Sequence, residues 1–196
     1  MLMLRILAMT KIILSAILLL ILPIQAWSET LTMDDLVRKD DFLYYKKSTN
    51  VPFTGEISGK ESGKLKNGEK DGKWLIYNND GQLLSKVNYK NGLYSGIVET
   101  YHENGQLSTK GNFKDGRPDG LMETYRESGA LFSRENFIDG KKEGLTEKYY
   151  DSGEVWIAEN YKDGEYFGLV EYFNKDGTLK KTETWNDGNM INEVNH

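Results

Sequence analysis

From Gly68 onward, apolar positions return along this chain with a fixed period of 24 residues. An aromatic stands at Tyr77, Tyr101, Tyr125, Tyr149 and Phe173, and an aliphatic at Leu83, Leu107, Leu131, Val155 and Leu179. A second aromatic stands at Tyr89, Phe113, Phe137, Tyr161 and Trp185. Polar residues and glycines fill the intervals. Gly68, Gly92, Gly116, Gly140, Gly164 and Gly188 mark the period; a second glycine follows four residues on, from Gly72 to Gly168, and a third nine after that, from Gly81 to Gly177. A fixed period of this length marks a repeat architecture, in which each unit buries its apolar side against its neighbours.

The glycines leave room for two short segments per unit, each too brief for a stable helix and rich in Tyr, Phe, Val, Thr and Trp. Each unit therefore reads as a β-hairpin, and the fold as all-β: an elongated single sheet of consecutive hairpins. The hairpin loop is signed by Asp80-Gly81, Asn104-Gly105, Ser128-Gly129, Ser152-Gly153 and Asp176-Gly177. A two-residue loop would set Tyr101 opposite Ser108. A three-residue loop with a left-handed glycine sets Tyr101 opposite Leu107 and does the same in every unit, so we favour it. Asn91-Gly92, Asp115-Gly116, Asp139-Gly140, Asp163-Gly164 and Asp187-Gly188 are turn dipeptides that lead into the next hairpin.

Parity then divides the side chains between two faces. Ile97, Tyr101, Leu107 and Phe113 share one parity, which stays apolar in nearly every unit and is assigned to the side that holds the sheet together. The other parity varies: Trp74, Val98, Met122, Thr146 and Val170 at one offset, and Leu84, Ser108, Phe132, Trp156 and Lys180 at another. Large aromatics at variable positions suit a binding surface. Trp74, Phe132 and Trp156 are accordingly the candidate partner-binding residues, with Phe132 and Trp156 as paired anchors. The alternative is that they merely cover the second face.

The ends differ from the middle. Residues 1–28 have the form of a secretory signal, with Arg5 and Lys11 ahead of the apolar run 12–24 and cleavage after Ser28 or Ala26. That run is short for a membrane span, so the processed protein is expected to be extracytoplasmic, periplasmic or secreted; an uncleaved anchor is the alternative. Residues 29–50 form an N-terminal cap. Thr32 and Asp35 offer a capping box for a short helix over 33–39, and 42–45 reads as a first strand, the segment covering the open sheet edge. The repeat domain spans 51–188, with a short first unit at 51–67, and 189–196 is a tail that covers the far edge or frays.

Composition removes several kinds of chemistry. There is no cysteine, hence no disulfide framework and no lipid-modified cysteine. Losing residues 1–28 takes the net charge from −5 to −7, which disfavours nucleic acid as a partner. His102 reads as a solvated loop histidine, and His196 is terminal. The run GEISGK at 55–60 has too few residues between its glycines for a phosphate loop, and Glu61 stands where Ser or Thr would bind magnesium. Rows at Glu99, Glu123, Glu147 and Glu171 and at Asn88, Asn112, Asn136 and Asn160 read as polar ladders. No catalytic, metal or cofactor site is expected.

The run GLYSGIVETYHENGQLSTKGNFKDG, its companions, and the opening VPFTGE at 51–56 resemble the bacterial variant of the MORN repeat, and the YwqK-type antitoxin-like proteins that carry it, over 51–188. The resemblance implies consecutive hairpins in a binding or scaffolding role and brings no catalytic constellation. The expectation is an exported, non-catalytic scaffold that binds another protein, in an antitoxin-like or envelope role. The alternative is a glycan or cell-wall binding module that uses hairpin aromatics.

Overall fold

The computed structural model describes residues 31–196; the signal segment and its cleavage sites lie outside them. From Gly55–Ser58 to Asn189–Asn195, strands of one long sheet follow each other in space in the order of the sequence, every neighbouring pair antiparallel. This is the expected array of hairpins. Fourteen strands lie on the sheet's main path, which at about 4.8 Å per strand makes the sheet on the order of 60 Å across.

Two turn types alternate, each dictated by its residues. His102 N donates to Gln106 O at 2.8 Å and Gly105 N to His102 O at 2.9 Å, with Gly105 at φ 82°. Tyr101 then pairs with Leu107, as the three-residue loop requires. At the other junction Asn91 (φ 50°) and Gly92 (φ 73°) are both left-handed, and Lys90 pairs with Leu93. Two positive φ values in a two-residue loop define a type I′ turn, whose twist matches the strands it joins; Asn, Asp and Gly are the residues that tolerate it.

Each hairpin also contains two irregularities. Tyr101 pairs with Leu107 but Thr100 with Thr109, leaving Ser108 as one extra residue. Leu84, Phe132, Trp156 and Lys180 are the extra residues of the other units. Near the unit boundary, Gly111 pairs with Met122 but Phe113 with Pro118, so Asp119, Gly120 and Leu121 bulge opposite Asn112. The amides of the asparagine row close these bulges: Asn88 Nδ2 donates to Ile97 O (2.8 Å), Asn112 to Asp119 O (2.7 Å), Asn136 to Leu145 O (3.1 Å) and Asn160 to Leu169 O (2.9 Å). The row is a set of side chain-to-backbone clamps rather than a side-chain polar ladder.

The single extra residue corrects the assignment of faces. Beyond Ser108 the alternation inverts, so Phe113 points to the side of Val98, away from Tyr101, Leu107 and Ile97. The cross-strand pairs Trp74–Val87, Val98–Gly111, Met122–Glu135, Thr146–Glu159 and Val170–Glu183 lie on that side, which is the buried face. Ile97, Leu121, Leu145 and Leu169 lie on the opposite, open face and are 43–47% exposed.

The N-terminal cap departs from expectation too. Thr32 N donates to Asp35 Oδ2 at 2.9 Å, the return bond of a capping box, and Thr32 Oγ1 donates to the same carboxylate oxygen at 2.8 Å. Only a 3-10 turn, Met33–Asp35, follows; Leu36–Arg38 is a strand paired with Tyr44–Lys46. A strand sends Leu36 inward while Val37 and Arg38 stay exposed, and the core cluster of Leu31, Leu36, Ile57, Leu65 and Trp74 takes up that one side chain. Leu31–Thr32 pairs in parallel with Gly55–Ser58 and covers the sheet edge, as expected. The tail is a strand, Asn189–Asn195, paired with Leu179–Asn186.

The cap hairpin repeats the loop geometry of the units, with Lys39 N donating to Leu43 O at 3.1 Å and Phe42 N to Lys39 O at 2.9 Å. Phe42 (φ 65°) thus fills the slot that glycine fills in the repeat loops, and it is 71% exposed. A left-handed non-glycine residue costs about 1–2 kcal/mol, and an exposed ring recovers little of that through the Arg38 guanidinium 5.2 Å away. Replacing Phe42 by glycine is expected to raise stability by up to about 1 kcal/mol, measured as a higher Tm. A lower Tm would show that the ring's contacts outweigh the strain.

Candidate binding surface

The three aromatic candidates occupy different environments. Trp74 is 0% exposed; its Nε1 donates to Lys64 O at 3.1 Å, and its ring meets Tyr89 edge-on at 6.3 Å. Gly63 lies directly beneath it, where a Cβ would come within 2.5 Å of the indole. Trp74 is therefore the centre of the cap core and offers a partner nothing. Phe132 and Trp156 are both extra bulge residues. Phe132 is half-buried, with the Arg126 guanidinium 4.6 Å from its ring centre. Trp156 is 38% exposed and packs on Tyr150 at 6.0 Å.

Arg126 belongs to a second recurring device. His102 Nε2 donates to Tyr125 O, Arg126 Nη2 to Tyr149 O and Tyr150 OH to Phe173 O, each at 2.8 Å and each 23 residues ahead. A carbonyl only accepts, so His102 carries its proton on Nε2. Three different side chains at one repeat position staple three successive hairpins, each to the one that follows. His102 is a structural staple, not a solvated loop residue.

The buried face changes character along the sheet. Near the cap, Trp74, Tyr89, Tyr94 and Phe113 touch ring to ring. Further on, Glu159 (3% exposed) accepts from Lys148 Nζ and Tyr166 OH, both at 3.1 Å, and from Tyr161 OH at 3.3 Å. Glu183 (7% exposed) accepts from Lys181 Nζ at 2.5 Å, Trp185 Nε1 at 3.0 Å and Tyr172 OH at 3.2 Å. Burial pushes the Glu183 carboxyl up, but Lys181 and Trp185 together hold it below the ordinary value. Carboxylates compensated in this way keep a sheet together. Among the described residues no group of His, Cys, Asp and Glu could hold a metal ion.

The open face is the more regular surface. Its centre is a row of alternating charge in which Lys86 Nζ lies 3.4 Å from Glu99, Lys110 Nζ 4.0 Å from Glu99, and Arg134 Nε 3.0 Å from Glu123. Tyr101, Tyr125 and Tyr149 each donate a hydroxyl hydrogen bond to the glutamate two residues before, at 2.7–2.8 Å. Burial, and then the bond to Glu147, push Tyr149 up to about 12. On the other side of the charged row run the exposed Ile97, Leu121, Leu145 and Leu169, one in each of four units. Their regular recurrence made that position look like core. Its signal in the sequence is the left-handed glycine just before each, at Gly96, Gly120, Gly144 and Gly168, which bulges the strand.

Hairpins of this spacing, clamped by asparagine and stapled unit to unit, have a counterpart among known families. The chain is similar to the MORN repeat variant. That family's model matches residues 70–91, 94–115 and 142–163, three repeats of the array. The MORN-like units that remain share the same turns and bulges. No curated protein matches the chain. Among solved structures, the crystal structure of the GtfA/B complex bound to UDP and GlcNAc aligns at 14% identity and a TM-score of 0.25. The match covers 68% of this chain and 24% of that one, so this chain spans well under two thirds of that protein's length.

The MORN-like array should be acid-sensitive through the pair of Tyr101 and Glu99. The Tyr101 hydroxyl, assisted by Lys86 and opposed by partial burial, holds the Glu99 carboxyl below its ordinary value of 4.5. A depressed folded value means stabilisation that is present above pH 4.5 and is lost as the pH falls through the folded value. The expected outcome is a urea midpoint that falls below pH 4.5 in the native sequence and falls less steeply in Glu99→Gln. Identical slopes would remove this pair from the account.

Proposed function

We propose that this chain is an exported, non-catalytic repeat scaffold that binds a protein partner through the open face of its sheet, in an antitoxin-like or envelope-associated setting. The observation that carries the reading is the exposed row of Ile97, Leu121, Leu145 and Leu169. Four aliphatic side chains repeated on one face, beside a charged row, form an apolar strip of the kind that protein interfaces bury. Trp156 keeps enough exposed surface to contribute at the rim; Phe132 supports Arg126. The glycan reading is less well served, because sugar stacking needs free ring faces and most aromatics here touch other rings or cations. Export rests on the form of residues 1–28.

In a capture assay with immobilised processed protein and its own envelope extract, Leu121→Ser with Leu145→Ser should weaken binding about tenfold or more while Tm stays within a few degrees. Undiminished capture would move the site elsewhere. The protein recovered from cells should begin near Trp27 or Glu29; an intact Met1 in the membrane fraction would establish the anchor instead.

A further inference from the structure

We propose that the open face pairs with a second copy of this chain, two sheets packed face to face with their strand orders opposed. The inference rests on the open face being a protein-binding surface and names its occupant. The observation is the charged row. Cross-strand register runs Lys86 to Glu99, Glu99 to Lys110, Lys110 to Glu123, Glu123 to Arg134 and Arg134 to Glu147. The sign alternates without interruption, beginning positive and ending negative. A row of that form is its own complement when reversed.

Two kinds of two-fold axis can relate stacked sheets. An axis across the strands sets every row member over its own copy, Lys86 over Lys86 and Glu99 over Glu99, which is repulsive throughout. An axis along the strands, passing between those of Lys110 and Glu123, sets Lys86 over Glu147 of the second copy, Glu99 over Arg134 and Lys110 over Glu123. Like charges placed opposite each other select against the first arrangement, and opposite charges favour the second.

The aliphatic row agrees independently. Ile97, Leu121 and Leu145 share strands with Glu99, Glu123 and Glu147 and are absent from the strands between. Under the same axis the second copy's aliphatic residues fall over those intervening strands, so the two rows interdigitate instead of colliding, as faces of sheets packed about 10 Å apart do. A partner of different sequence would require neither match.

Sedimentation of the exported form at up to about 100 µM tests the pairing. The expected result is a concentration-dependent dimer that Leu121→Glu weakens about tenfold or more with an unchanged circular dichroism spectrum. Lys110→Glu and Glu123→Lys should each yield monomer alone, since each places like charges across the axis, and mixing the two should restore a dimer, since each then meets its complement. Restoration on mixing is an outcome that simple damage to the fold cannot produce. A dimer indifferent to Leu121→Glu, or no restoration from two folded variants, overturns the pairing. A monomer at every concentration, with capture from extract still dependent on Leu121 and Leu145, overturns the second copy and leaves the binding face standing; a monomer with no such dependence removes both.

Discussion

One extra residue in the second strand of each 24-residue unit's hairpin decides where the others point. A β-strand alternates its side chains strictly, so inserting one residue between Leu107 and Thr109 sends Thr109, Gly111 and Phe113 to the face opposite Tyr101 and Leu107. The consequence runs the length of the sheet, because Leu84, Phe132, Trp156 and Lys180 repeat the insertion. Aromatics that the sequence spaces evenly are thereby split between two sides. The boundary glycines and the asparagine clamps then accommodate the second bulge and present Ile97, Leu121, Leu145 and Leu169 to solvent.

A single sheet has no second layer to bury its apolar face, and the chain compensates through contacts between neighbouring units. Backbone pairing supplies the continuous part. Side-chain staples at His102, Arg126 and Tyr150 tie loop to loop, and the type I′ turns fix the register. The buried face tolerates Glu159 and Glu183 because each carboxylate receives a lysine and two ring donors. Among the described residues, an apolar core of the ordinary kind is found near the cap, centred on Trp74 and closed by Leu31 and Leu36.

This division of labour favours function on the open face. The buried face is committed to its own ring contacts and ion pairs, whereas the open face presents one aliphatic residue in each of four units beside charges of regular sign. Repetition multiplies a weak contact along a line, which is how repeat scaffolds obtain affinity from small side chains. The similarity to the MORN repeat variant over three repeats accords with such a scaffold.

The sequence by itself determined the period, the hairpin, both turns and the order of strands. Asn-Gly and Asp-Gly tolerate positive φ, and the pairing of Tyr101 with Leu107 selects a three-residue loop; both are local facts. The capping box of Thr32 and Asp35 was legible for the same reason. What followed it was not, because a strand at Leu36–Arg38 is stabilised by Tyr44–Lys46 and by a core assembled from residues up to Trp74. The faces were likewise decided only in three dimensions. A bulge is a mismatch between two strands, defined by the hydrogen bonds each residue finds across the gap, and parity counted along one strand does not register it. Trp74 and Trp156 therefore looked equivalent as aromatics at variable positions, yet tertiary packing encloses the first and leaves the second at the surface.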